Sequence, residues 1–222
     1  VDEETRLVRQ VDLPAAREAA VRGKFRIDPD APDDRIDALL GLSGATITSS
    51  SGLRGDARSR ASKAFDDDTM TAWQSRMSPD AGEWIQAVAP APITATVASV
   101  QVLADARHSV PTKIHFEVDG VAQPSISLPS VDDGKRGTVR TLRFDPVTLS
   151  GTTIRLVVDE YRSVTTPDWY THHPVTLPVS IAGLGSDELH TLLHAASPGL
   201  AECRSDLLTV AGAPVPVTAG PL

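Results

Sequence analysis

Apolar and polar residues alternate with a period of two through the middle of this chain, and that pattern confines the fold to sheets. In "TKIHFEVDG" (112–120), Ile114, Phe116 and Val118 alternate with Lys113, His115 and Glu117. The stretch ends on Asp119-Gly120, the dipeptide of a tight hairpin turn. "TVRTLRF" (138–144) and "TIRLVVDE" (153–160) read the same way, and "ITATVASVQVL" (93–103) is rich in β-branched residues. Turn residues recur between them, in "DDGKRG" (132–137) and "LSG" (149–151). Many short strands at that spacing predict an all-β sandwich or barrel. Helical signals are few. "RIDALLG" (35–41) follows Asp33 and Asp34, which are competent caps, and stops at Gly41. "SDELHTLLHAA" (186–196) opens on the N-cap residue Ser186 and places Leu189, Leu192 and Leu193 on one helical face.

At 222 residues the chain is long enough for one sizeable core without covalent staples. Its single cysteine, Cys203, rules out an internal disulfide framework but leaves pairing outside the segment open. A net charge of −8 argues against a nucleic-acid surface, which needs clustered Lys and Arg to neutralise phosphates. The same balance disfavours an anionic membrane surface. No apolar run approaches the roughly 20 residues that span a bilayer, so direct membrane insertion by this segment is not expected. The opening "VDEETRLVRQ" lacks the plan of a signal peptide.

"AFDDDTMTAW" (64–73) sets Asp66, Asp67 and Asp68 between an apolar pair and a tryptophan. Repulsion among three such carboxylates is relieved by protonation, solvent, backbone N–H donors or a cation. No Asp-x-Asp-x-Asp-Gly frame is present, so the turn is not an EF-hand. "YRSVTTPDWYTHHP" (161–174) holds both tyrosines and the third tryptophan of a chain that is only 4% aromatic. Its threonines and prolines read as a loop. There Trp169 and Tyr170 can stack on the C–H face of a sugar, with Asp168, His172 and His173 supplying hydrogen bonds. The alternative is a loop folded back so that Trp169 caps the core. Adjacent histidines on an extended chain point to opposite faces, which disfavours a shared transition metal. "DARHSVP" (105–111) is a second polar loop, with Arg107 and His108 as candidate ligand contacts. Catalysis has little support, since no Gly-x-Ser-x-Gly elbow, phosphate loop or dinucleotide glycine pattern occurs. Asp159-Glu160 lie side by side on a strand and face opposite ways.

"ITSSSGLRGDARSRASKAFDDDTMTAWQS" followed by "GEWIQAVA" resembles the opening of the coagulation-factor type C, or discoidin, fold, which also covers families of carbohydrate-binding modules. The resemblance covers roughly 44–185 and rests on Asp66, Thr71, Trp73 and Trp84. It implies a jelly-roll β-sandwich in which both tryptophans pack the core, although the alternation around Trp84 leaves its face open. It also implies a structural calcium ion at the acidic turn, with side-chain oxygens from Asp66 and Thr71 and carbonyls from Lys63, Asp68 and Thr71. The glutamate that such folds return from the last strand is absent. Ser180 or Gly183 stands near that position, with Asp67 available to compensate. More narrowly, "APDDRIDALLG", "RHSVPT" and "CRSDLLTVAGAPVPV" look like the extracytoplasmic part of a large actinobacterial arabinofuranosyltransferase, an enzyme class whose catalytic portion lies in the membrane.

Three segments are therefore expected: an N-terminal β segment (1–43), the discoidin-like sandwich (44–185), and a short helix with a C-terminal β segment (186–222). The two ends, with "RLVRQVDL" (6–13), "KFRI" (24–27), "LLTV" (207–210) and "PVPV" (214–217), form a small partial flanking β unit. The expected function is non-catalytic recognition of an arabinose-containing envelope glycan on the extracytoplasmic side, beside other domains of the same parent chain. A scaffold sandwich that binds no sugar is the competing reading.

Overall fold

A computed structural model describes residues 31–195, 205, 209–210 and 212–216. The expected strands at 6–13 and 24–27, and Cys203, lie outside these residues. The chain opens on helix α1 (Asp33–Leu39) and strands β1 (Leu42–Gly44), β2 (Thr46–Ser49) and β3 (Trp73–Gln74). Strands β4 (Glu83–Leu103), β5 (Val110–Val118), β6 (Val121–Ala122), β7 (Ile126–Ser127) and β8 (Val139–Arg162) follow. Then come β9 (Thr165–Pro167), β10 (Pro174–Thr176), β11 (Ser180–Ile181) and β12 (Gly183–Leu184). Helix α2 (Asp187–His190), β13 (Leu193–Ala195) and a small ladder of β14 (Thr209–Val210) with β15 (Ala213–Pro214) complete the order.

The fold is all-β, and its ladders are antiparallel. Its spine is the pairing of β4 with β8, from Glu83 opposite Val158 to Leu103 opposite Val139. Register shifts between Val88 and Ile93 and between Val97 and Ser99 bend this ladder, as bulges do. Strand β2 extends the first half of β4, β12 pairs with its second half, and β5 pairs with the far half of β8. Ile85 and Ala87, Val100 and Val102, Leu142 and Leu149, Ile154 and Leu156, and Ile114 and Phe116 all enter one buried cluster. The alternation of β5 is the cause in miniature: its apolar positions face that cluster and its polar ones face out. Asp119 (φ 48°) and Gly120 (φ 81°) form the expected tight turn into β6.

Four expectations change. The separate strands read at 93–103, 138–144 and 153–160 are parts of the two long strands. "LSG" is no turn but lies inside β8, with Gly151 opposite Ile93. A Cβ there would meet Val118 Cγ1 at 2.5 Å and Asp119 Oδ2 at 2.6 Å, so the glycine serves a close approach. The helix read over 186–196 is a single turn. Its leucines Leu189 and Leu192 are buried in the core, and residues 193–195 pair instead with β1, satisfying backbone groups of both segments. Finally, the two core tryptophans part company. Trp73 is fully buried, with its indole N–H donating to the Ser51 carbonyl at 3.0 Å. Trp84 lies on the opposite face from Ile85 and Ala87, where the Arg155 guanidinium sits 4.3 Å from its ring centroid.

Helix α1 docks through its acids. Asp33 and Asp34 occupy its first turn, behind Pro32, rather than capping it. Asp33 Oδ2 accepts the Ala61 N–H at 3.0 Å, and Asp37 Oδ1 receives Arg60 Nε at 2.6 Å and Ser62 Oγ at 2.9 Å. Gly41 (φ 74°) ends the helix, as expected.

Candidate functional site

The acidic triplet disperses its charge locally. Asp66 receives Lys63 Nζ at 2.8 Å, the Thr71 hydroxyl at 2.9 and 3.0 Å, and the Asp68 N–H at 3.1 Å. Asp68 turns its own carboxylate to the Met70 N–H at 2.9 Å. Asp67, in a left-handed conformation (φ 54°), points outward with His190 Nδ1 at 3.5 Å. Backbone donors, one lysine and solvent thus relieve the repulsion.

The four residues expected to hold calcium do meet here, with Asp66 and the Asp68 carbonyl engaged by protein donors. Lys63, expected to offer its carbonyl, sets its ammonium against Asp66. The Asp68 carbonyl already accepts both the Thr71 N–H and the Thr71 hydroxyl, each at 3.0 Å. Calcium takes six to eight oxygens, and among the described residues no group of three or more His, Cys, Asp or Glu side chains is gathered to hold a metal. Ser180 is buried in β11 with its Oγ unpartnered, and Gly183 lies in β12. The expected result is a melting temperature insensitive to calcium or chelator. Lys63→Met is expected to destabilise the fold by about 1–3 kcal/mol by stripping Asp66 of its charged partner. A calcium-dependent rise in the wild-type melting temperature would instead show that the ion displaces the ammonium.

The turn also builds a wall. Thr69, Met70 and Thr71 line a cleft of about 420 Å³, whose other sides come from the 56–59 turn, β3 and the loops at 105–108 and 136–137. One of its lining residues is Asp105, whose side chain is only 2% exposed. Asp105 Oδ1 accepts the Arg107 N–H at 3.0 Å and faces His108 Nδ1 at 2.8 Å, while Oδ2 accepts the Gly137 N–H at 2.8 Å. One carboxylate therefore ties two loops together. Burial pushes its pKa up, but the Gly137 N–H, His108 and the Arg107 N–H outweigh that and hold it below the ordinary value. His108 Nε2 meets Gln74 Oε1 at 3.3 Å, so the ring is held at both ends. Asp56 is engaged by Arg58 through Nε and Nη2, both at 3.2 Å. Ser59 lines the cleft as well, and its buried Oγ has no hydrogen-bond partner among the described residues. Met70, 88% exposed, offers an apolar rim.

Of the residues singled out in the sequence, Arg107 and His108 line this cleft. The others gather elsewhere. Asp168 Oδ1 accepts the Tyr170 and Thr171 N–H groups at 3.0 and 2.7 Å and the Thr171 hydroxyl at 2.9 Å, which closes the tip of the β9–β10 hairpin. These bonds hold its carboxyl below the usual range. His172 (φ 56°) and His173 complete that tip, both exposed. Trp169 and Tyr170 are 84% and 88% exposed, so the tryptophan does not fold back onto the core of this chain. Gln74, Asp105, Arg136, Met70 and Ser59 were not singled out. The buried position of Asp105 has no sequence signal, although "DDGKRG" marks the loop that meets it. Asp159 and Glu160 are engaged by His115 with Ser125 and by Lys113, respectively.

No family model matches the chain, and no curated protein matches it. Solved structures are similar to it. The solved structures it resembles include carbohydrate-binding modules and an arabinofuranosyltransferase. The arabinofuranosyltransferase AftD from Mycobacteria is 22% identical with a TM-score of 0.41, over 64% of this chain and 10% of that one. A family 32 carbohydrate-binding module of Clostridium perfringens NanJ, in complex with galactose, is 16% identical with a TM-score of 0.37, over 64% of this chain and 92% of the module. Chitosan-binding module 1 of a Paenibacillus sp. IK-5 chitosanase/glucanase is 21% identical with a TM-score of 0.37, over 66% and 96%. The chain thus spans about a tenth of the AftD chain.

Proposed function

We propose that this protein binds a glycan without transforming it, in the cleft organised by Asp105. The observation that carries the reading is the cleft itself. Polar groups from several chain segments converge on one concavity, and an exposed methionine rims it. Such sites suit a sugar's mixture of hydroxyls and C–H faces. Both carboxylates that line the cleft are engaged, Asp56 by Arg58 and Asp105 by His108 and two backbone amides. Glycoside hydrolysis needs two carboxyls free to work on the substrate, so binding is favoured over cleavage. The sequence resemblance supports an arabinose-containing envelope polymer as the ligand. It also supports a larger membrane arabinofuranosyltransferase as the parent, with this segment on the extracytoplasmic side. No helix among the described residues is long and apolar enough to cross a membrane.

The test is an NMR titration with arabinan oligosaccharides, with wild type, His108→Ala and Trp169→Ala compared. Shifts confined to the Gly137 and His108 signals, abolished in His108→Ala and retained in Trp169→Ala, are the expected result. Shifts that instead disappear in Trp169→Ala would move recognition to the β9–β10 tip. No response to sugar from a folded protein would leave the scaffold reading, with Trp169 and Tyr170 covered by a neighbouring domain of the parent.

A further inference from the structure

We infer that the glycan taken by the cleft carries a negative charge, a carboxylate or phosphate group, received by Arg107 and Arg136. This rests on the reading of the cleft as a glycan site and names the class of sugar it selects. The whole chain is acidic, at −8, yet three guanidinium groups line this one concavity. Arg58 is taken by Asp56. Arg107 and Arg136 are exposed and have no hydrogen-bond or ion-pair partner for their side chains among the described residues. The carboxylate nearest both of them by backbone connection, Asp105, is withdrawn from solvent and saturated. It stays ionised and offsets one of the two charges, while its oxygens are taken by backbone N–H groups and His108.

The backbone segments that carry the two arginines are held relative to each other. The Arg107 N–H donates to one oxygen of Asp105, and the N–H of Gly137, the residue after Arg136, donates to the other. Two loops far apart in sequence therefore carry these arginines from a common anchor. The guanidinium fork matches the planar oxygens of a carboxylate and the oxygens of a phosphate. A neutral sugar needs hydroxyl partners only, and two uncommitted guanidinium groups offer more than that. Arg58, Arg107 and Arg136 against Asp56 and Asp105 leave the lining one positive charge in excess, histidine aside, which favours an anion.

The experiment compares matched probes on the intact protein at low salt. A galacturonate trisaccharide is set against a galactose trisaccharide, and arabinose phosphate against arabinose. The expected result is that at least one charged probe binds about tenfold or more tightly than its neutral match. That advantage is expected to fall as salt rises and to vanish in Arg107→Gln/Arg136→Gln. It is expected to persist in Arg140→Gln, which removes an exposed arginine of β8 outside the cleft. The pair that shows the preference identifies carboxylate or phosphate as the source. Equal binding of charged and neutral probes, with arabinan still bound in the cleft, overturns the charge selection and leaves the glycan site standing. Absence of binding by every probe and by arabinan overturns both.

Discussion

Asp105→Asn is expected to lower stability by about 2–4 kcal/mol and to weaken glycan binding about tenfold or more. The asparagine keeps the shape but carries an acceptor on one side only. Oδ1 serves the Arg107 N–H and His108, and Oδ2 serves the Gly137 N–H. Whichever way the amide turns, its NH2 group faces a donor, so one loop is released. The cost is that of a buried donor left without a partner, added to the loss of charge-assisted bonds. Urea unfolding of both proteins measures it. The acid limb carries a second signature. The carboxyl of Asp105 is held below its ordinary value of 3.8 in the folded state. A depressed carboxylate stabilises fully above its unfolded pKa and loses that contribution as pH falls through the folded one. The stability gap between wild type and variant is therefore flat above about pH 5 and closes as pH falls below the ordinary carboxylate range. A gap independent of pH down to acid unfolding would show that the charge of Asp105 contributes nothing.

Asp37→Ala is expected to cost about 1–3 kcal/mol, since it removes the carboxylate that receives the buried Arg60 Nε and the Ser62 hydroxyl. The side chains of Arg60 and Asp37 are 4% and 11% exposed and meet at 2.6 Å. Asp37 sits on α1, and Arg60 precedes the short turn that carries Ser62 and Phe65 into the core, so the pair fastens the helix to the sandwich. The double variant Asp37→Leu/Arg60→Met removes both charges together and is expected to recover most of the loss, because a well-packed apolar pair avoids the desolvation cost. Urea midpoints of the three proteins decide the matter. A cost below about 1 kcal/mol for Asp37→Ala is the value of a solvated surface pair, and it would mean that α1 is not docked through this contact.

The alternation in "TKIHFEVDG" was enough to place Ile114, Phe116 and Val118 inside and to end the strand at Asp119-Gly120. Side-chain direction in a strand follows from sequence position alone, and a tight turn with positive φ selects its residues locally. The serines ahead of Trp73 serve a buried acid. Ser51 and Ser50 satisfy the buried carboxylate of Glu83, with Ser51 Oγ at 2.6 Å. Elsewhere local signals stopped short. Gly151 looks like a turn residue until Val118 and Asp119 crowd it from the next strand. The amphipathic run after Ser186 reads as a helix until β1 offers an unpaired edge to residues 193–195. Trp84 is apolar enough for a core, yet its neighbours Ile85 and Ala87 take the inner face.

The sequence by itself determined that this protein is all-β, that one central strand turns at Asp119-Gly120, that a short helix ends at Gly41, and that the polar loop with Arg107 and His108 belongs among the candidate contacts. These properties depend on residues a few positions apart, where steric and rotamer preferences act without help from the rest of the chain. Only the tertiary structure decided that Asp105 is the anchor of the cleft, because its three partners come from loops separated by some thirty residues. Only the fold, too, set Lys63 against Asp66 and turned the neighbouring carboxylates outward, so that the acidic turn shapes a wall of the cleft. Contacts of that kind follow from how strands stack and loops meet, and the free energy that selects them is shared across the whole core.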